Sequence, residues 1–503
     1  LRTTIKARTL LLTLLLLLLS GPLAGRSFAQ TSNGGGVPPA NTLNPFGVNL
    51  LLDTEVEAVK VERTIFLAAD ANMGWIKQEF PWQDIEINAK GDFNDTRGGG
   101  SKSAWDKYDR IVGYAEQYKL NVVARLDKAP QWAGGVPGNA AAYYDFIEAF
   151  IKHYKGRIKY IQVWNEPNLS AEWLDGQVPD PAAYTSYLRG AYQRIKQLDP
   201  SIIVLSAPMA ATTEPEGSVR GMNELTYWQG MYKAGAKDAF DVASANAYGL
   251  ADAPDVAPDA GKLNFRRVEL LHQVMENNGD GNKQIWFNEY GWNANPGPPK
   301  LSQEQTDYYR QVTPEQQAQY TVDGIKYARQ NWPWAGVFFI WYLRQDGQRI
   351  ADNDAQFYFA LVNPDFSINP VYGAVKRAAE QFKANAAAPA TPVPATFAPT
   401  PTGAPLPTST SGSGGGILEP TVTNAPPAAS SPTSPAAAIP SIVAQATATS
   451  TAAPASGNAD SGNNGLVLII LVVVAAVALV GGVAFFLRGG GGNAGSNGGN
   501  ARL

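Results

Sequence analysis

Ile158-Lys159-Tyr160-Ile161-Gln162-Val163-Trp164 is a short apolar run that breaks at once into Asn165-Glu166-Pro167-Asn168. A little further on, Asp180-Pro181 sets a capping side chain before a proline, which marks the start of a helix. A strand that empties into a loop and returns through a helix is the repeating unit of a parallel sheet. The same unit recurs on both sides. Strands are predicted over 46–49, 74–80, 121–125, 158–164, 202–207, 240–245, 284–288 and 335–341, each followed by a helical pattern. Thr313-Pro314 and Asn369-Pro370 repeat the cap-proline start. Thr54 with Glu57 and Thr313 with Gln316 have capping-box spacing. Eight such units over 41–386 predict an α/β fold, a closed (β/α)8 TIM barrel. The open doubly wound sheet is disfavoured because Phe46-Gly47-Val48-Asn49-Leu50 carries no Gly-rich nucleotide turn.

Composition narrows the chemistry. The chain has 503 residues, no cysteine and two histidines. Disulfides and thiolate chemistry are out. His153 and His272 both fall in helical runs and are expected on helix surfaces, which argues against a Ser-His-Asp triad or a multi-histidine metal site. A formal charge of -4 without a basic stripe argues against nucleic acid. No metal or cofactor is expected. Asp352-Asn353-Asp354 and the 278–282 segment lack a full calcium-loop spacing and are read as turns.

The ends have their own character. Residues 1–29 have the basic, apolar and small-residue order of a signal peptide. A short flexible segment is expected over 30–40. Residues 387–464 are rich in Pro, Thr, Ala and Ser and are expected to be a disordered linker. The apolar segment from Leu466 to Leu487, within 465–488, is long enough to cross a lipid bilayer, and Arg488 follows it. The Gly-rich tail, 489–503, is then cytoplasmic and the barrel extracytoplasmic at the cell membrane.

In a barrel the chemistry gathers at the C-terminal strand ends. Two glutamates stand at such ends: Glu166 after the fourth strand, and Glu289 in Ile285-Trp286-Phe287-Asn288-Glu289-Tyr290-Gly291-Trp292. Asn and aromatic residues surround both. Two carboxyls, amides and aromatic faces are what glycoside cleavage requires.

Trp164-Asn165-Glu166-Pro167 followed by Asn288-Glu289-Tyr290-Gly291 resembles glycoside hydrolase clan A, retaining (β/α)8 enzymes such as families 5 and 39. The resemblance spans the barrel. It implies Glu166 as acid/base and Glu289 as nucleophile, with no cofactor. It implies that Asn165 bonds the sugar 2-hydroxyl, Tyr248 donates to the nucleophile and Trp341 forms the sugar platform. The substrate so implied is a β-linked oligo- or polysaccharide. Lys77 stands where the family often has arginine, and Asn246 where it often has histidine, so both enter as candidate sugar contacts. Lys77 or Arg125 is a second candidate partner for Glu289. Trp132 and Trp292 are expected to stack on sugar, while Trp82, Trp173 and Tyr342 are further loop aromatics. The loops 83–102 and 290–312 are expected to wall a cleft. A non-catalytic polysaccharide binder would not need both glutamates. A transglycosylase would use the same pair.

Overall fold

The computed structural model describes residues 36–387, apart from 136, 174–176 and 216. The expected signal peptide, nearly all of the linker, the apolar segment from Leu466 to Leu487 and the tail lie outside the described residues. Among the described residues, no helix is long and apolar enough to cross a membrane.

Eight parallel strands carry the fold: β1 (Phe46–Leu50), β2 (Trp75–Pro81), β3 (Asn121–Asp127), β4 (Tyr160–Val163), β5 (Ile203–Leu205), β6 (Ala243–Tyr248), β7 (Ile285–Gly291) and β8 (Ala335–Ile340). They pair in sequence order, and β8 pairs with β1. Between β5 and β6 the ring closes through the bridges Leu205–Val242 and Met209–Ala245. Eight main helices return the chain: α1 (Ala58–Asp70), α2 (Asp106–Gln117), α3 (Ala140–His153), α4 (Pro181–Leu198), α5 (Glu224–Lys233), α6 (Val268–Asn277), α7 (Pro314–Asn331) and α8 (Pro370–Ala387). This is the (β/α)8 barrel.

Strand alternation sorts the side chains. Ile76 and Phe80, Ala124 and Leu126, and Ala243 and Ala245 face the helices and join the large outer core. Trp75, Val123, Trp286 and Phe339 face inward and plug the base of the barrel. Higher on the same inward faces the residues turn polar: Lys77 and Glu79 on β2, Arg125 and Asp127 on β3, Asn246 and Tyr248 on β6. The barrel is therefore dry at its base and charged at its mouth.

The helix starts follow local chemistry. Asp180 accepts from the Ala182 amide, and Thr313 with Gln316 forms the full capping box. Thr54 and Glu57 do not form theirs: α1 begins at Ala58 with Glu57 at the cap and no side-chain bond. Strand ends also differ from expectation. Phe240 packs edge-on against Trp228 ahead of β6, which runs on to Tyr248. β4 stops at Val163 because Trp164 turns to a φ of 73°. The two long loops are not structureless. One holds a turn of helix, Trp82–Ile85, and a two-residue hairpin; the other holds the helix Gln303–Tyr309. Neither histidine is simply solvated: His153 stacks on Trp105, and His272, which is buried, stacks on Trp334. The two candidate calcium turns have structural roles, with Asp354 capping a 3-10 turn and Asp280 accepting from the Tyr232 hydroxyl.

One expected sugar contact belongs to the packing instead. Trp292 is 1% exposed, its indole donates to the Asp252 carbonyl, and its ring lies among Phe265, Tyr290 and Tyr320. The chain after β7 turns outward here, and the helix side takes the ring. Trp132 is half-buried edge-on to Trp82, with its indole donating to the Glu86 carbonyl. Gly249 is small because the Trp292 indole occupies the space that a Cβ would need. Gly249→Ala is therefore expected to lower stability by about 1–3 kcal/mol through overpacking, read by urea unfolding. An unchanged midpoint would show that Trp292 moves freely.

Candidate active site

Glu289 reaches the barrel mouth through a break in strand register. On β7, Phe287 pairs with Ala245 of β6, yet the next pair is Glu289 with Asn246, so Asn288 is an extra residue. The β8 side shows the same slip, from Phe338–Phe287 to Ile340–Tyr290. Unbroken alternation from the inward Trp286 would send Glu289 toward the helices. A one-residue bulge reverses the facing of all that follows. Asn288 and Glu289 both turn inward, and Tyr290 turns out to donate to the Thr321 carbonyl of α7 at 2.7 Å. The freed Asn288 carbonyl accepts from Asn49 Nδ2 at 3.0 Å and from Lys77 Nζ at 3.1 Å. The Asn288 amide donates across the barrel to Gln162 Oε1 at 2.5 Å.

Glu166 is placed by strain and by clamps. Trp164 and Glu166 both hold positive φ, 73° and 45°, a region that costs about 1–3 kcal/mol for a side chain like these. The Glu166 amide donates to the Pro208 carbonyl at 3.0 Å, and Asn168 exchanges two hydrogen bonds with the Ala210 backbone. The loop after β4 is thus tied to the loop after β5.

The two carboxyls meet on β6. Asn246 Nδ2 donates to Glu166 Oε1 at 2.7 Å, and the Tyr248 hydroxyl donates to Glu289 Oε2 at 2.8 Å. Residues two apart in a strand share a face and stand about 7 Å apart. Adjacent donors therefore hold the two acids within reach of one bond. Both glutamates are buried, at 2% and 0% exposed. Burial first, and the negative charge of Glu289 second, push the Glu166 carboxyl well above the ordinary range, while the Asn246 bond opposes them. Lys77 Nζ lies 3.8 Å from Glu289 Oε1, which has no hydrogen-bond partner. Burial pulls Lys77 down to about 8.

The remaining candidates divide. Asn165 sits beside Glu166 and accepts a long bond from Gln162, at 3.4 Å. Trp341, at the top of β8, borders the cavity that also holds Lys77. Arg125 does not partner Glu289: its Nε donates to Asp127 at 2.5 Å and its guanidinium lies 3.5 Å from Glu79. Those acids share its inward faces and take it first. Sequence reasoning passed over Asn49, Gln162, Asn288, Glu79 and Arg349. For the strand residues the signal was the period-two polar position at the strand top, as in Asn49 or Glu79; Arg349, in the loop after β8, carried none. Among the described residues, no cluster of three His, Cys, Asp or Glu is set to hold a metal.

No protein-family model matches the sequence, and no curated protein matches it. Solved structures do. A family 39 glycoside hydrolase from Bacteroides cellulosilyticus WH2 is 19% identical, with a TM-score of 0.50 over 70% of this chain and 66% of that one. A monomeric β-xylosidase from Caulobacter crescentus CB15 is 18% identical, TM-score 0.45, over 68% and 69%. An endo-β-1,4-mannanase from Thermotoga petrophila is 13% identical, TM-score 0.47, over 68% and 77%. The chain thus spans just under two thirds of the length of the family 39 structure. At these identities the likeness is one of fold. A family 39 barrel among the similar structures agrees with the clan A resemblance of the two glutamate motifs.

Asn246 is the one neighbour that lowers the Glu166 pKa by direct hydrogen bonding. Removing it with Asn246→Ala should raise that pKa and carry the alkaline limb of any Glu166-dependent rate upward by about one pH unit, given the worth of a bond to a charged group. A pH–rate profile reads this, and a limb that stays put or falls would show that Asn246 does not set the acid.

Proposed function

We propose that this protein is a glycoside hydrolase of the clan A type, cleaving β-linked glycans by a retaining double displacement. One observation carries the reading. Two buried carboxyls in one barrel mouth are held by neighbouring donors of β6, one acid raised and the other beside a lysine and a tyrosine hydroxyl. In the first step the Glu289 carboxylate attacks the anomeric carbon. The glycosidic bond breaks, and the protonated Glu166 gives its proton to the leaving oxygen. In the second step the Glu166 carboxylate takes a proton from water, which attacks the anomeric carbon and frees Glu289. The unpartnered Glu289 Oε1 is the oxygen available to attack, and Tyr248 steadies the other. Asn165 and Trp341 are the candidate contacts to the sugar itself.

The reading also keeps the barrel outside the cell membrane, tethered by the segment from Leu466 to Leu487 with a cytoplasmic C-terminus. Only the sequence supports that part. Removing residues 465–503 should move the protein from the membrane fraction to the soluble one, and retention in the membrane would refute the anchor.

The roles separate by leaving group. Glu166→Ala should slow glycosides with poor leaving groups by about 100-fold or more, the scale of general acid catalysis, and largely spare activated aryl glycosides. Equal loss on both classes would remove Glu166 as the acid. A 2-fluoro glycosyl fluoride should label Glu289, as read by peptide mass spectrometry. A label on another residue would overturn the assignment.

A further inference from the structure

Beside Glu289, on the arc of strand ends β8-β1-β2-β3, lies a cavity whose lining is unusual for a sugar site. Its charged lining residues are Lys77, Arg125, Lys128 and Arg349 against the single carboxylate Glu79. Neutral sugars are bound through amides, hydroxyls and aromatic faces and do not call for four cations in one recess. Buried charge is costly unless it is paired.

The pairing partners stand mostly behind the lining. Arg349 is bonded to Asp53 and lies 3.3 Å from Glu79; Arg125 is bonded to Asp127; Lys128 lies 3.3 Å from Glu172. Asp53, Asp127 and Glu172 do not line the cavity. Burial also pushes the Asp127 carboxyl up, so its counter-charge is weakened near neutral pH. Donors remain free. The Arg349 Nε is buried without a hydrogen-bond partner. Lys128 has three donors and one carboxylate neighbour in contact. Glu79 lies between the two guanidiniums, 3.5 Å from Arg125 and 3.3 Å from Arg349, and brings both to one wall of the cavity.

We infer that this cavity receives an acidic group, a carboxylate or a sulfate ester, on the sugar that Glu289 attacks, so that the substrate class is an acidic glycan. Trp341, on the same wall, gives that ring its apolar face. The assignment rests on the glycosidase reading for what is cleaved, and on the cavity alone for what is bound.

The test uses the full chain and two readouts. Aryl β-glucuronide, β-galacturonide and 6-sulfo-β-glucoside are compared with aryl β-glucoside, β-galactoside and β-xyloside for kcat/KM. Glucuronate, glucose 6-sulfate and glucose are compared for binding by calorimetry. At least one acidic member should exceed its neutral counterpart by about 100-fold or more, within the range reached when a polar site meets an analogue lacking its partner. The carboxylate and sulfate arms tell the two sources apart. Lys128→Met should narrow the preference by about tenfold or more, chiefly through KM, and Lys128→Arg should keep most of it; thermal unfolding of both checks the fold. Acid binding without turnover of any glycoside keeps the cavity assignment and refutes the hydrolase. The absence of an acid preference in both readouts overturns the cavity assignment, whatever the activity.

Discussion

Two carboxyl groups buried in one mouth cannot both hold a charge cheaply, and the rest of the site is arranged around that repulsion. Like charges close together repel, and desolvation adds to the cost of ionising both. The neighbours of the two acids differ. Glu289 has the Tyr248 hydroxyl at 2.8 Å and the Lys77 ammonium at 3.8 Å. Glu166 has one amide donor, and burial and the Glu289 charge push it up. Two identical side chains thus stand in unequal surroundings, the asymmetry on which the proposed acid and nucleophile roles rest.

The barrel makes the repulsion possible by bringing the tops of β4 and β7 to one mouth, and two local departures from regularity finish the work. A bulge at Asn288 turns Glu289 inward, and Asn49 and Lys77 catch the carbonyl that the bulge frees. A pair of left-handed residues, Trp164 and Glu166, turns the β4 loop over the mouth, where Asn168 ties it to the β5 loop. Lys77 therefore serves twice, as a counter-charge to Glu289 and as a clamp on the strand that carries it. The cationic recess beside it continues the same inward polar layer onto β3 and the loops beyond.

Much of this was legible in the sequence. Apolar runs closed by cap-proline helix starts predict eight strand-helix units, and the strands lie close to where they were expected because the outer core demands that alternation. Glu166 and Glu289 stand out because a charged residue at the end of an apolar strand, among amides and rings, has few other uses. The bulge was not legible. Asn288-Glu289 alternates normally in one dimension, and only pairing with β6 and β8 exposes the slip. Trp292 was misplaced for the same reason: past a bulge, facing cannot be counted from the strand start. Arg125 was misassigned because Asp127, two residues on and on the same face, competes for it at 2.5 Å. The Thr54 box failed because α1 starts later than its spacing implies.

The raised Glu166 carboxyl is the centre of the account, and it is directly measurable. Carbon-13 NMR of glutamate-labelled protein, with Glu166 assigned by its loss in Glu166→Gln, follows that carboxyl through a pH titration in the wild type and in Glu289→Gln. Glu166 should titrate well above an ordinary glutamate in the wild type. Without the neighbouring charge it should fall, yet stay elevated by burial. A Glu166 that titrates like a free side chain, or is indifferent to the loss of Glu289, would contradict the account.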